Sequence, residues 1–229
     1  MRLIPLITAA LLLLQPGPSF AQSPPAQSAS PAAPAGGSAW IEFGSPNDFF
    51  TVNFPGQPQV ADMTYDSEYG LKLPGRVYSV VQGANRYSVT VVDYSNAEKM
   101  HAERAAKCKA AGGDGDSCGS PGRADVRGAI VHASWGFIKR KSEMTHFANY
   151  NADLVEGLRL QLLNPDGSRT FAVIHMHEYR LYILEGTVAR GLPPPALFQQ
   201  SLGFLDKEGK RIRYETTYSH GFPTPRRTR

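Results

Sequence analysis

The sequence predicts an α+β protein in which an antiparallel sheet is flanked by helices. Three observations lead there. Short runs of apolar residues alternate with polar ones on both sides of the chain's centre. Between about residues 95 and 141 the apolar period changes to that of a helix. Tight-turn residues, not helical crossovers, separate the runs. Strands and helices in separate blocks are the mark of α+β, whereas a parallel sheet would alternate them.

The first strand is carried by Phe50, Val52 and Phe54, which alternate with Thr51 and Asn53 before Pro55-Gly56-Gln57-Pro58 stops the run. Residues 76–82 and 86–94 are β-branched and aromatic, and Gly83-Ala84-Asn85 between them predicts a hairpin. Ser95 followed by Glu98 has the form of a capping box, and Ala97, Met100, Ala105, Cys108 and Ala111 continue at helical spacing to Gly112-Gly113. A second helix is predicted over residues 125–141, with Val126, Ile130, Ala133 and Phe137 on one stripe. Its basic end (Lys139, Arg140, Lys141) suits the negative pole of a helix dipole. From Glu143 the pattern returns to strands. Leu158, Leu160 and Leu162 alternate, Asn164-Pro165-Asp166-Gly167 makes a tight turn, and residues 170–176 and 180–188 complete a meander. Pro193-Pro194-Pro195 leads into a short helix over about residues 194–202, and a last strand is expected at 210–214.

Residues 1–21 read as a secretory signal peptide. Met1-Arg2 is a basic start, residues 3–14 are a 12-residue apolar run, and Ser19-Phe20-Ala21 has the small-x-small form that places cleavage between Ala21 and Gln22. Twelve residues rise only about 18 Å as a helix, against a hydrocarbon core of about 30 Å, so a membrane anchor is not expected. No cysteine precedes Cys108, which argues against a lipid anchor at the cleavage point. Residues 22–39 hold only Gln, Ser, Pro, Ala and Gly, a composition that cannot bury enough surface to order itself, and they are read as a linker. The expected organisation is therefore signal, linker, one globular domain over residues 40–214, and a flexible basic tail over 215–229. The expected location is periplasmic or secreted.

The chain has 229 residues, 24 Lys plus Arg against 20 Asp plus Glu, two cysteines and 41% hydrophobic residues. That balance excludes a disordered polyelectrolyte and a disulfide-dense miniprotein. The net charge of +4 is concentrated at the end: residues 206–229 carry seven cations against three carboxylates. Arg226, Arg227 and Arg229 could touch an anionic surface, though such charge also serves solubility. Nucleic acid is not an expected partner, since no basic patch with interleaved aromatics is present.

Cys108 and Cys118 flank a glycine-rich loop, and in an exported chain they are expected to form a disulfide. Asp114-Gly115-Asp116 within the loop lacks the further oxygen ligands of a calcium loop and reads as a turn. His175 and His177 stand two apart, so on a strand both imidazoles share one face and could meet a metal ion, which makes a metal-binding protein or a metal-dependent enzyme the alternative reading of the chain. Two ligands do not make a site, and two strand-end histidines beside Glu178-Tyr179 are the plainer reading. No Ser-x-x-Lys or phosphate-binding loop occurs, so no catalytic residue and no cofactor are expected.

The segment Phe50-Thr51-Val52-Asn53-Phe54-Pro55-Gly56-Gln57-Pro58 resembles the opening of a group of small exported bacterial proteins. Their pattern includes an upstream tryptophan, here Trp40, and a strand such as Arg180-Leu181-Tyr182-Ile183-Leu184. A short helix and a phenylalanine strand follow, here Phe198, Ser201 and Phe204. Those proteins are similar to the PsbP-like fold, an antiparallel sheet sandwiched by helices, shared by a photosystem II extrinsic subunit and a Ran-binding import factor. The resemblance spans most of residues 40–205. It implies a scaffold that binds protein partners without catalysis, here an unidentified partner in the cell envelope. The cysteine loop and the basic C-terminus depart from the pattern.

Overall fold

The structure, a computed structural model, describes residues 39–228. The expected signal peptide, its cleavage point at Ala21 and Gln22, the linker up to residue 38, and Arg229 lie outside the described residues.

The chain begins with a hairpin of β1 (Ile41–Ser45) and β2 (Phe50–Phe54), in which Ser45 stands opposite Phe50. β3 (Gln59–Asp66), β4 (Lys72–Gln82) and β5 (Asn85–Asp93) follow as a meander, then α1 (Ala97–Ala110) and α2 (Gly122–Ile138). A second meander holds β6 (Glu143–Ala152), β7 (Val155–Leu163), β8 (Arg169–His177) and β9 (Arg180–Val188). The one-turn helix α3 (Ala196–Gln199) leads to β10 (Gly203–Leu205) and β11 (Arg211–Ile212). Among the described residues the strands form two antiparallel sheets, a large one in the order β3-β4-β5-β9-β8-β7-β6 and a small one in the order β1-β2-β10-β11.

The α+β class holds, but the layers differ from the expected helix-flanked sheet. One face of the large sheet packs on α2 through Val92, Leu160, Leu162, Ile174 and Leu181. The other face carries Tyr78, Val89, Val173, Tyr182 and Leu184, and there the small sheet with α3 supplies Phe50, Val52, Phe54, Phe198 and Phe204. A strand with two buried faces reads as continuously apolar, and β8 is buried at eight of its nine positions. The alternation of Tyr87, Val89 and Val91 against Val92 therefore separates two cores.

Local boundaries also moved. The Ser95–Glu98 capping box does not form; Asn96 is the N-cap, and the Ser95 amide donates to the Asp93 carboxylate at 2.8 Å. α2 starts earlier than predicted, where Gly122 lets the helix lie against Glu98; a Cβ there would stand 2.8 Å from the Glu98 Cα. α3 is shorter than expected because Gly203–Leu205 is drawn into the small sheet against Thr51 and Phe50. β1 is short, with Ile41 and Phe43 alternating with Glu42 and Gly44, and β3 alternates only in its second half, at Met63 and Tyr65. β3 is an edge strand with no fully buried residue.

Residues 215–228, expected as a flexible tail, are part of the domain. Tyr218 is buried against His177 and Tyr214, at 4.9 and 5.2 Å between ring centroids. Its amide donates to the Leu154 carbonyl at 2.9 Å, its carbonyl accepts from Glu156 at 3.0 Å, and its hydroxyl accepts from the Glu178 amide at 3.1 Å. The Glu215 amide donates to the Arg226 carbonyl and the Thr228 amide to the Arg213 carbonyl, closing a short hairpin. Two aromatic anchors outweigh the proline-rich, basic composition on which the tail expectation rested.

Tyr218 thereby grips two strained turns. Asp153-Leu154 joins β6 to β7 and Glu178-Tyr179 joins β8 to β9, and all four residues have positive φ, between 45° and 65°. Two-residue hairpins favour this turn, but glycine or asparagine normally supplies it. Here non-glycine residues do, each at a cost of about 1–3 kcal/mol that surrounding contacts must offset.

Candidate functional site

The flank of α2 exposes apolar residues that the core does not use. Val126, Ala129, Ala133 and Phe137 point at the sheet, while Val131, Trp135 and Ile138 form a second stripe at i, i+4 and i+7. These three remain 64%, 51% and 38% exposed. α2 lies over β7, β8 and β9, so β6 runs beyond its flank. Phe147 on β6 stands opposite buried Leu160 and therefore on the same sheet face, yet it is 49% exposed. β6 also ends the sheet, so its outer backbone edge faces no strand of the described residues. Its ten residues include no proline and one fixed charge, Glu143, and the one irregularity along it is the register shift between Met144 and His146, so from Phe147 onward the edge is regular and uncharged.

His175 and His177 do share a face, as the i, i+2 spacing requires, but that face is the aromatic core. His175 Nδ1 donates to the carbonyls of Val155 and Glu156, both at 3.2 Å, which leaves Nε2 buried without a described partner. His177 Nε2 shares a 2.7 Å hydrogen bond with the Tyr214 hydroxyl, and its ring lies 4.5 Å from that of Phe204. Burial drives the His175 imidazole down to about 4. Burial, reinforced by Arg227 and His220, drives His177 down to about 3. Both rings are thus neutral packing groups near neutral pH, and among the described residues no third ligand joins them in a metal-binding group.

Cys108 and Cys118 are disulfide-bonded, with their Cα atoms 5.5 Å apart. Cys108 sits in the last turn of α1 and Cys118 is buried, so the bond ties the loop to the helix end. Gly113 fills the narrow space inside; a Cβ there would stand 2.2 Å from the Cys118 sulfur. Asp114 closes the turn, accepting from the Ser117 amide at 2.8 Å and its hydroxyl at 2.6 Å, and these bonds lower its carboxyl pKa.

The expectation of no catalytic residue passes over one motif in that loop. Residues 115–119 read Gly-Asp-Ser-Cys-Gly, the Gly-x-Ser-x-Gly spacing of a nucleophile elbow. Such an elbow needs a strand before it and a helix after it. Ser117 instead lies among turns, and its hydroxyl is held by Asp114.

Two buried polar clusters escaped the sequence. In one, Asp125 Oδ2 accepts from the Ser67 hydroxyl at 2.6 Å and stands 2.7 Å from His101 Nε2. The residue types are those of a hydrolase, but the carboxylate sits in the middle, so serine and histidine do not touch as catalysis requires. Solvent exposure of Ser67, His101 and Asp125 is 4%, 1% and 0%; the cluster locks α1, α2 and the β3–β4 turn together. In the other, Asp48 receives a bidentate pair from Arg76 at 2.7 and 2.5 Å, and the Tyr78 hydroxyl at 2.5 Å. Burial, then the bond to Asp48, pushes the Tyr78 hydroxyl up to about 12. Its partners are brought together only by the fold, so no local spacing signals either cluster.

Of the basic residues at the C-terminus, Arg227 is engaged with Glu178 at 2.6 Å and Arg211 with Asp153 at 2.7 Å, while Arg226 is exposed. No helix among the described residues is long and apolar enough to cross a membrane, and the disulfide fits an oxidising compartment. No known family model matches the chain, and no curated protein matches its sequence.

Proposed function

We propose that the chain is an exported, non-enzymatic interaction module of the bacterial cell envelope, which captures an extended segment of a partner protein along β6. The observation that carries this is the free edge of β6, with one fixed charge at its start and the exposed Phe147 on it, together with the exposed Val131, Trp135 and Ile138 on α2. Backbone pairing would supply affinity and the apolar trough would choose the side chains, which is how strand addition divides the work. The PsbP-like resemblance agrees with a scaffold that binds proteins. The Gln-, Ser-, Pro-, Ala- and Gly-only segment before the domain suits a tether.

Photocrosslinking in intact cells tests it. A photoreactive residue at Phe147 or Trp135 should give one discrete protein adduct, and the same residue at Lys72 should not. Thr145→Lys, on the edge itself, should abolish the adduct without unfolding the domain. Adducts of equal yield at all three positions, or an adduct indifferent to Thr145→Lys, would sink the proposal.

A further inference from the structure

We propose that a second site, at the open end of the large sheet's helix-covered face, binds a small hydroxylated anion, a sugar acid or sugar phosphate. Ser88 shares its face with Thr90 and Val92, and Val92 packs on the helical layer. Beyond the end of α2 the sheet face is bare, and a hollow of ≈ 540 Å³ opens there. That size suits a monosaccharide-scale ligand.

The floor is made of hydroxyl-bearing residues placed side by side by strand register. Ser79 stands opposite Ser88 across β4 and β5, and Thr187 on β9 stands opposite Arg86 and Thr170. The two carboxylates of the hollow are occupied. Glu185 is held by Arg140 through bonds of 2.6 and 2.9 Å. Asp166 accepts from the Ser168 hydroxyl at 2.6 Å and its amide at 2.9 Å. Arg86 and Arg190 line the same hollow and are exposed, and neither forms an ion pair with a described residue. Arg190 is seated on Gly167, so closely that a Cβ there would lie 2.2 Å from its Nε.

Two guanidinium groups without an ion pair, Arg190 with the Asp166 carboxylate in its neighbourhood and Arg86 without one, over a floor of hydroxyls make a specific chemical demand. Arginine's planar fork matches a carboxylate or phosphate, and serine and threonine hydroxyls exchange hydrogen bonds with a polyol. A neutral sugar would leave Arg86 unanswered, and a bare inorganic anion would leave the hydroxyl floor unused. The floor of the hollow lies on β4, β5 and β9, and β8 and β7 stand between β9 and the edge strand β6, so the site stands or falls independently of the docking proposal.

Titration calorimetry of the protein with glucuronate, glucose 6-phosphate, inorganic phosphate and glucose tests the site. Glucuronate or glucose 6-phosphate should bind, and which of them binds more tightly identifies the anionic group. Arg86→Gln and Arg190→Gln should each weaken that binding about tenfold or more, while leaving the melting temperature unchanged. Lys72→Gln, outside the hollow, should leave affinity unchanged. Three results would overturn the proposal: no binding of either sugar anion, inorganic phosphate or glucose binding as tightly, or affinity indifferent to both arginines.

Discussion

Lowering the pH from about 7 to about 5 should destabilise the fold through His175 and His177. An unfolded histidine titrates near about 6.5, whereas burial holds these two at about 4 and about 3. Because the folded pKa is lowered, the unfolded chain takes up protons first as pH falls. Stability is therefore constant above the unfolded value and drains away between it and the folded values. At about pH 5 each histidine costs on the order of 2 kcal/mol, and the pair about 4 kcal/mol, a large part of a typical domain's stability. For His177, burial and then the charges of Arg227 and Arg180 disfavour the imidazolium. The assay is urea unfolding of wild type and His177→Gln at several pH values. Carboxylates also titrate in this range, so the informative quantity is the difference between the two proteins, which should grow to about 2 kcal/mol in the variant's favour at acid pH. Imidazole nitrogen shifts should show His177 still neutral in the folded wild type at about pH 5. Parallel loss of stability in the two proteins, or a protonated His177 in the native state, would refute the reasoning.

Cys108→Ala should lower the unfolding free energy by about 2.5–3 kcal/mol in denaturant titration, the chain-entropy value for so short a ring. Tyr218→Ala should cost about 3–5 kcal/mol by the same measurement, because it removes a buried aromatic ring and frees both strained turns. Truncation after Tyr214 should do at least as much damage, whereas a detached tail could be lost without effect. Leu154→Gly should raise stability by about 0.5–1 kcal/mol, since Leu154 has positive φ and a 41% exposed side chain, and a fall would show that the turn stores no strain.

Two kinds of element could be read from the sequence: those whose two faces meet different environments, and continuous apolar runs bounded by turns, such as β8. β2 and α2 announce themselves because Thr51 and Asn53, or Trp135 and Val131, face outward while their neighbours are buried. β3 is exposed over its first half and only partly buried at Met63 and Tyr65, so it gives a weak pattern. The small sheet is invisible locally, since Phe50 meets Phe204 only across most of the domain. For the site, the common face of His175 and His177 followed from strand geometry, but their burial depended on Phe204, Tyr214 and Tyr218 arriving from the far end of the chain. The edge of β6 was equally illegible, because being last in a sheet is a property of topology.

That long reach of β2 to β10 has a temporal side. β1 and β2 can pair at once, but the other side of β2 has no partner until β10 exists, so the aromatic core must wait for nearly the whole chain. Contacts so distant in sequence close slowly. A polypeptide built this way remains unfinished while it is being made, the state in which a secretory channel could thread it. The rings of Tyr214 and Tyr218 complete the enclosure last.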